Sequence, residues 1–297
     1  MATYNAPVWK NTTKAIASGQ SPYTYSIAVQ EGASAITVFN GKAWVRPGEG
    51  YLYININSIA QNYLTSDLPD LRNVTATTTY TNAYACRQFY LMNSANTVTD
   101  TFNFLLDYSY EDIDMSSNRV LSEPVNGHGT NGMIFLNTVF SASSLSVKTT
   151  LSLSPGSSYD TTHCGTFALY YLNVHGGWDS FLFEGNVTKT DTYKRYQTNA
   201  SFDNSTLDFQ KRTYNNEITG SWKLSTGWLT DSESEIFARN LLSTSKAYLH
   251  DLKANKFYPV NIKDSSATYK TYNNQGKKRV SYQITVDAAQ NKVNILK

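Results

Sequence analysis

The sequence predicts an all-β fold, mainly strands, arranged as two sandwich- or barrel-like modules. Three observations predict it. Short runs rich in Val, Ile, Thr, Tyr and Phe recur along the chain, Gly, Asn and Pro turns separate them, and only one segment carries convincing helix signals. At 297 residues the chain exceeds the usual single-domain size and leaves each module enough length to bury a core.

The elements follow in order. Residues 1–20 are polar and lack a clear period, which predicts a loose N-terminal arm that orders against something else. A first module spans 21–160. In it Ile36–Phe39 and Lys42–Val45 flank Asn40-Gly41, a favoured two-residue hairpin turn, and Tyr51–Asn57 alternates as a third strand. Ser58 is placed to cap a short helix running to Leu64. Further strand runs at Asn73–Thr81, Cys86–Met92, Thr101–Tyr108, Met133–Phe140 and Leu145–Ser152 bring the module to the strand count of a sandwich or barrel. The module boundary falls near Asp160, within Pro155-Gly-Ser-Ser-Tyr-Asp160.

The second module spans 161–290. Phe167–Val174 and Trp178–Gly185 read as two strands joined tightly at Gly176-Gly177, and strand runs follow at Phe181–Thr188, Leu207–Thr213 and Ile218–Leu224. Thr230-Asp-Ser-Glu233 is a capping box, and Ile236, Phe237, Leu241 and Leu242 form one apolar stripe, so a helix is predicted over 231–243. Two hairpins close the module: Ala247–Leu252 with Phe257–Ile262, then Ala267–Tyr272 with Val280–Asp287. Residues 291–297 read as a loose tail.

Composition excludes several function classes. A chain 40% hydrophobic and 13% aromatic is not disordered, yet only 16% of it is charged, against the usual ~25%. Its surface is therefore built from Thr, Ser, Asn and Tyr. Such surfaces suit contacts with proteins or sugars, because Tyr brings contact area at low rotamer cost. A formal charge of +2 supplies no field for nucleic acid or an anionic membrane. The start of the chain lacks a cationic and apolar leader and no run of about 18 apolar residues occurs, which predicts synthesis and release in a cytoplasm. Cys86 and Cys164 are expected as buried thiols rather than a disulfide framework.

Candidate sites are weak throughout. Gly127-His-Gly-Thr-Asn-Gly132 has dinucleotide-fingerprint spacing, but a strand follows it where a helix is needed. Asp112, Asp114, Ser116 and Glu123 stand at calcium-loop spacing, with Ser117 where that loop needs Gly. The four histidines, His128, His163, His175 and His250, lack zinc spacing. No nucleophile elbow is present, and Glu184 with Glu217 is a carboxylate pair only if folding joins them. Lys277-Lys278-Arg279 is a basic hairpin tip, expected to be solvated. Trp178, Trp222 and Trp228 are candidates for sugar stacking, with Trp222 expected in the core and the other two in core or interface. The sequons at Asn11, Asn73, Asn186, Asn199 and Asn204 carry no weight in a Thr- and Ser-rich chain. No catalytic, cofactor-binding or metal-ligating residue is assigned.

Several blocks resemble a family of structural proteins from tailed gut bacteriophages, including the crAss-like group. They are Gly176-Gly-Trp-Asp-Ser-Phe-Leu-Phe-Glu-Gly185, Thr226-Gly-Trp-Leu-Thr-Asp-Ser-Glu-Ser-Glu235, Tyr248-Leu-His-Asp251 and Tyr269-Lys-Thr-Tyr-Asn-Asn-Gln-Gly-Lys-Lys278. Phe39-Asn-Gly-Lys-Ala-Trp-Val-Arg-Pro47 and Ile54-Asn-Ile-Asn-Ser-Ile-Ala-Gln-Asn-Tyr63 resemble the same group. The resemblance implies a non-enzymatic virion protein of the tail or neck, a ring or tail-hub subunit made in the host bacterial cytoplasm. Its partners would be copies of itself and neighbouring tail or portal-proximal proteins, with no cofactor, no membrane and no sequence-specific nucleic acid. The alternative is a carbohydrate or host-receptor binding module of the tail, using Trp178 and Trp228.

Overall fold

The computed structural model describes residues 3–7, 13–17, 22–31, 33–45, 48, 51–68, 70–82, 85–106, 118–122, 132–144, 146–153, 167–199, 211–264, 281–290 and 292–295. In chain order the elements are β1 (Thr3–Pro7), β2 (Thr13–Ala17), β3 (Tyr23–Glu31), β4 (Ser34–Ala43), β5 (Tyr51–Asn55), α1 (Asn57–Gln61), β6 (Thr78–Asn82), β7 (Cys86–Asn93), β8 (Val98–Leu106), β9 (Arg119–Val120), β10 (Ile134–Ser141) and β11 (Ser146–Leu153). They continue as β12 (Phe167–Leu172), β13 (Trp178–Phe183), β14 (Val187–Asn199), β15 (Lys211–Ser225), α2 (Asp231–Ile236), β16 (Ala247–Asp251), β17 (Lys256–Ile262), β18 (Gln283–Ala288) and β19 (Lys292–Ile295). The fold is all-β, in sandwich-like modules, as the recurring strand runs predict. Two compact units form: residues 1–124, 134–155 and 172–180, and residues 125–133, 156–171 and 181–297.

In the first unit β1-β8-β7-β3-β4 make one sheet, β6-β11-β10-β9 a second, and β2-β5 a two-stranded ribbon. The core lies where Ile27 and Val29 of β3, Phe89 and Leu91 of β7 and Phe102 of β8 meet Leu52 and Ile54 of β5 and Ala60 of α1. β3 carries an unbroken buried run in this core, and its Ile27-Ala28-Val29 stretch was not distinguished in the sequence. A smaller cluster joins Ala85, Cys86, Leu121, Phe140 and Val147.

Three expectations for this unit are corrected. Asn40-Gly41 is no hairpin turn. β4 runs straight through it, with Asn40 opposite Ser26 and Gly41 opposite Tyr25, and the turn lies instead between Glu31 and Ser34. Gly41 serves packing, since a Cβ there would come within 2.6 Å of the Phe39 ring and 2.7 Å of the Tyr25 ring. Nor does Ser58 cap α1. The N-cap is Ile56, two residues earlier and without a side-chain cap, and the Asn55 side chain accepts from the Asn57 N–H at 2.8 Å. Residues 1–20, read as a loose arm, contribute β1, parallel to β8, and β2, antiparallel to β5. Edge pairing needs only backbone N–H and C=O, so it leaves no apolar period to read.

The second unit is built on one sheet in the order β13-β12-β16-β17-β18-β15-β14, with β19 also paired to β15. Its core holds Leu169, Tyr171, Phe181, Phe183, Trp222, Leu224, Leu249 and Val286, covered by Leu229, Phe237 and Leu241 from the helical segment. The Phe181 ring centroid stands 4.9 Å from that of Phe183 and 5.1 Å from that of Phe237, pairings worth about 0.5–1.5 kcal/mol each beyond their buried area. The capping box forms as predicted: Thr230 Oγ1 accepts from the Glu233 N–H, and Glu233 accepts from the Thr230 N–H at 2.8 Å. Past Ile236 the helix widens into a π turn over Phe237–Leu241.

Here the strands are longer than predicted. Leu207–Thr213 and Ile218–Leu224 are not separate, because β15 is a continuous strand from Lys211 to Ser225, and β14 pairs along its length from Val187 to Asn199. Residues 291–297, read as a tail, contribute β19, whose Val293 stands opposite Glu217. The hairpin of β16 and β17 is as predicted, turning through Asn255 at φ 48°. The strand expected at Ala267–Tyr272 lies outside the described residues.

Candidate functional site

The turn from β12 to β13 is fixed by one side chain. Asn173 Oδ1 accepts from the N–H groups of His175 at 3.0 Å and Gly177 at 2.9 Å, while Nδ2 donates to Leu121 O and to Asp179 Oδ2, both at 2.7 Å. Gly176 takes φ 77°, and a Cβ on Gly177 would stand 2.7 Å from Leu121 O. Trp178 follows at once, its N–H donating to Thr138 Oγ1 at 3.0 Å and its C=O accepting from Ser122 Oγ at 3.2 Å. This is a buried polar network that sets a turn. Asp179 is fully buried within it, out of reach of a substrate.

A second buried cluster surrounds His250. Its Nε2 lies 3.1 Å from Asn255 Oδ1, and an amide oxygen only accepts, so Nε2 carries the proton and Nδ1 receives the Tyr170 hydroxyl at 3.3 Å. The Phe257 ring stacks on the imidazole with centroids 3.9 Å apart. Burial holds the His250 pKa below its ordinary value, against smaller opposing effects of the Asn255 bond and the Asp251 charge. Burial likewise pushes the Cys86 thiol up to about 12. Both are core groups without solvent access.

The residues weighed for chemistry are not assembled. Gly185 N–H donates to Ser225 O, which places Glu184 eight residues of β15 from Glu217. At ~3.3 Å per residue that is roughly 26 Å, beyond the roughly 9.5 Å that two glycosidase carboxylates span. Glu217 instead accepts from the Tyr196 hydroxyl at 3.0 Å. Trp178 and Trp222 are each only 3% exposed, so neither offers a face for stacking as an exposed platform, whereas Trp228 is 70% exposed. No group of three or more potential metal ligands occurs among the described residues. Asp112, Asp114, Ser116 and Glu123, the loop 127–131, His128, His163, Cys164 and Lys277-Lys278-Arg279 lie outside them.

What the sequence did not single out is the contrast between two sheet edges. β14 ends the sheet of the second unit and carries Lys189, Lys194 and Arg195, charges of the kind that blunt an edge against further pairing. β4 ends the five-stranded sheet of the first unit over ten residues, and among the described residues no strand pairs with its outer side. It has a single Lys, Lys42, and presents Ile36 at 47% and Phe39 at 38% exposure, with Trp44 just beyond at 66%. A hollow of about 290 Å³ opens beside it, lined by Val29, Ile36, Val38, Tyr63 and Arg87. An unpaired edge, apolar side chains and an adjoining hollow are the parts needed to receive an added strand. Comparison of the chain with protein-family models, with curated proteins and with solved structures finds no match in any of the three.

Proposed function

We propose that this protein is a non-enzymatic structural subunit that joins copies of itself, or neighbouring proteins, by side-to-side contacts at β4. The observation that carries the reading is the ten-residue edge, with one Lys and one bulge at Val38, that exposes Ile36 and Phe39 and leads to the exposed Trp44. A monomer in solution would leave this edge open to aggregation, whereas a partner strand satisfies its N–H and C=O groups and covers its aromatic side chains. β1 fits the same scheme, being a five-residue terminal strand held in parallel at the opposite edge of the same sheet, where a neighbour's N-terminal strand could replace it. Within this proposal the assembly is a ring or hub in the tail or neck of a virion, the setting implied by the resemblance of the sequence blocks.

Sedimentation and electron microscopy of the purified full chain test it. The expected result is a concentration-dependent oligomer or closed ring that Phe39→Lys and Trp44→Lys dissociate, with the melting temperature unchanged in Trp44→Lys, whose position is 66% exposed. A wild type that stays monomeric at all concentrations, or an oligomer indifferent to both substitutions, would overturn the role assigned to β4.

A further inference from the structure

The second unit holds an in-strand glycine at the edge of a groove. Gly220 lies in the interior of β15, opposite Asp191 of β14, where a glycine weakens a strand by roughly 0.5–1 kcal/mol relative to alanine. Its backbone does not require glycine, as φ lies outside the left-handed region. Its neighbours do not require it either. A Cβ would stand 3.4 Å from both Asp191 Oδ1 and Trp222 Cη2, ordinary contacts, unlike the collisions found at Gly41, Gly177 and Gly185. Gly220 lines a groove of about 280 Å³. In-strand glycines of this sort mark places where a ligand approaches the backbone closely.

The geometry points to this groove as a binding site for a neutral saccharide. Tyr258 and Tyr193, the latter 56% exposed, present its aromatic faces, and the buried Trp222 backs Tyr258 with ring centroids 5.0 Å apart. On the β14 side Lys189 Nζ lies 3.7 Å from Asp191 Oδ2 and 5.8 Å from the Trp222 ring, and the other oxygen of Asp191 leans over the floor at Gly220. Lysine donates and aspartate accepts, so together they match hydroxyl groups, which do both. Their charges cancel, which gives no preference to an anion or a cation. Aromatic faces meet the C–H faces of a pyranose ring. The volume, just under the roughly 300–1,000 Å³ of small-ligand pockets, suits a single sugar ring.

The test is the labelled full chain on an array of neutral and charged oligosaccharides, followed by calorimetric titration of the best neutral one. Binding is expected to a neutral glycan. Gly220→Leu, which fills the groove, should weaken it by about tenfold or more at unchanged melting temperature, and Trp228→Ala should leave it intact. Asp191→Ala, on the exposed strand, should weaken it similarly and provides the same reading if Gly220→Leu folds poorly. Absence of binding to every neutral glycan, binding to charged glycans alone, or affinity unaffected by both groove substitutions would overturn the assignment.

Discussion

At Thr230 a single hydroxyl takes the Glu233 N–H while Glu233 answers at the Thr230 N–H, so two of the helix's unpaired donors depend on one pair of side chains. Thr230→Ala is expected to cost about 1 kcal/mol, read as an earlier denaturation midpoint, with association unchanged. His250 gives a pH dependence whose direction follows from its burial. Its folded pKa is depressed, so the unfolded chain takes up a proton first as pH falls. The neutral ring's contribution is full above the unfolded value near 6.5 and is lost as pH falls below it toward the folded pKa. The melting temperature should therefore drop on acidification from neutral pH, and His250→Gln should flatten that part of the profile. Cys86, with its thiol raised to about 12 and its side chain buried, should resist alkylation in a Cys164→Ser background until denaturant is added.

Among the elements, the turn from β12 to β13 leaves the least room for substitution. Gly177→Ala would press a methyl group on the backbone of Leu121 and is expected to cost about 1–3 kcal/mol, measured by denaturant unfolding. This turn was legible in the sequence because Gly176-Gly177 breaks two strongly apolar runs, and the capping box was legible because its chemistry is confined to four adjacent residues. β4 was misread for the opposite reason. Asn40-Gly41 is a strong local turn signal, and only the opposing strand β3, nine residues with Tyr25 packed over Gly41, shows that the ladder continues through it. β14 escaped notice because nearly all of its residues are exposed, leaving no alternation of apolar and polar positions to count. The edge contrast and the groove depend on which strand stands beside which, and no local pattern contains that order.

For the molecule as a whole, an apolar contact at the β4 edge, as proposed, predicts self-association that screening by salt does not weaken. Raising ionic strength should leave the sedimentation profile unchanged, and dissociation by salt would point to charged contacts instead. The sequence places a module boundary near Asp160, but residues 172–180 belong to the first unit, where Asn173 satisfies Leu121 O and the Trp178 backbone meets Thr138 and Ser122. This has a temporal corollary on the ribosome. Elongating at roughly 5–20 residues per second, the nascent chain must wait until residue 180 has cleared the exit tunnel before its first unit can close.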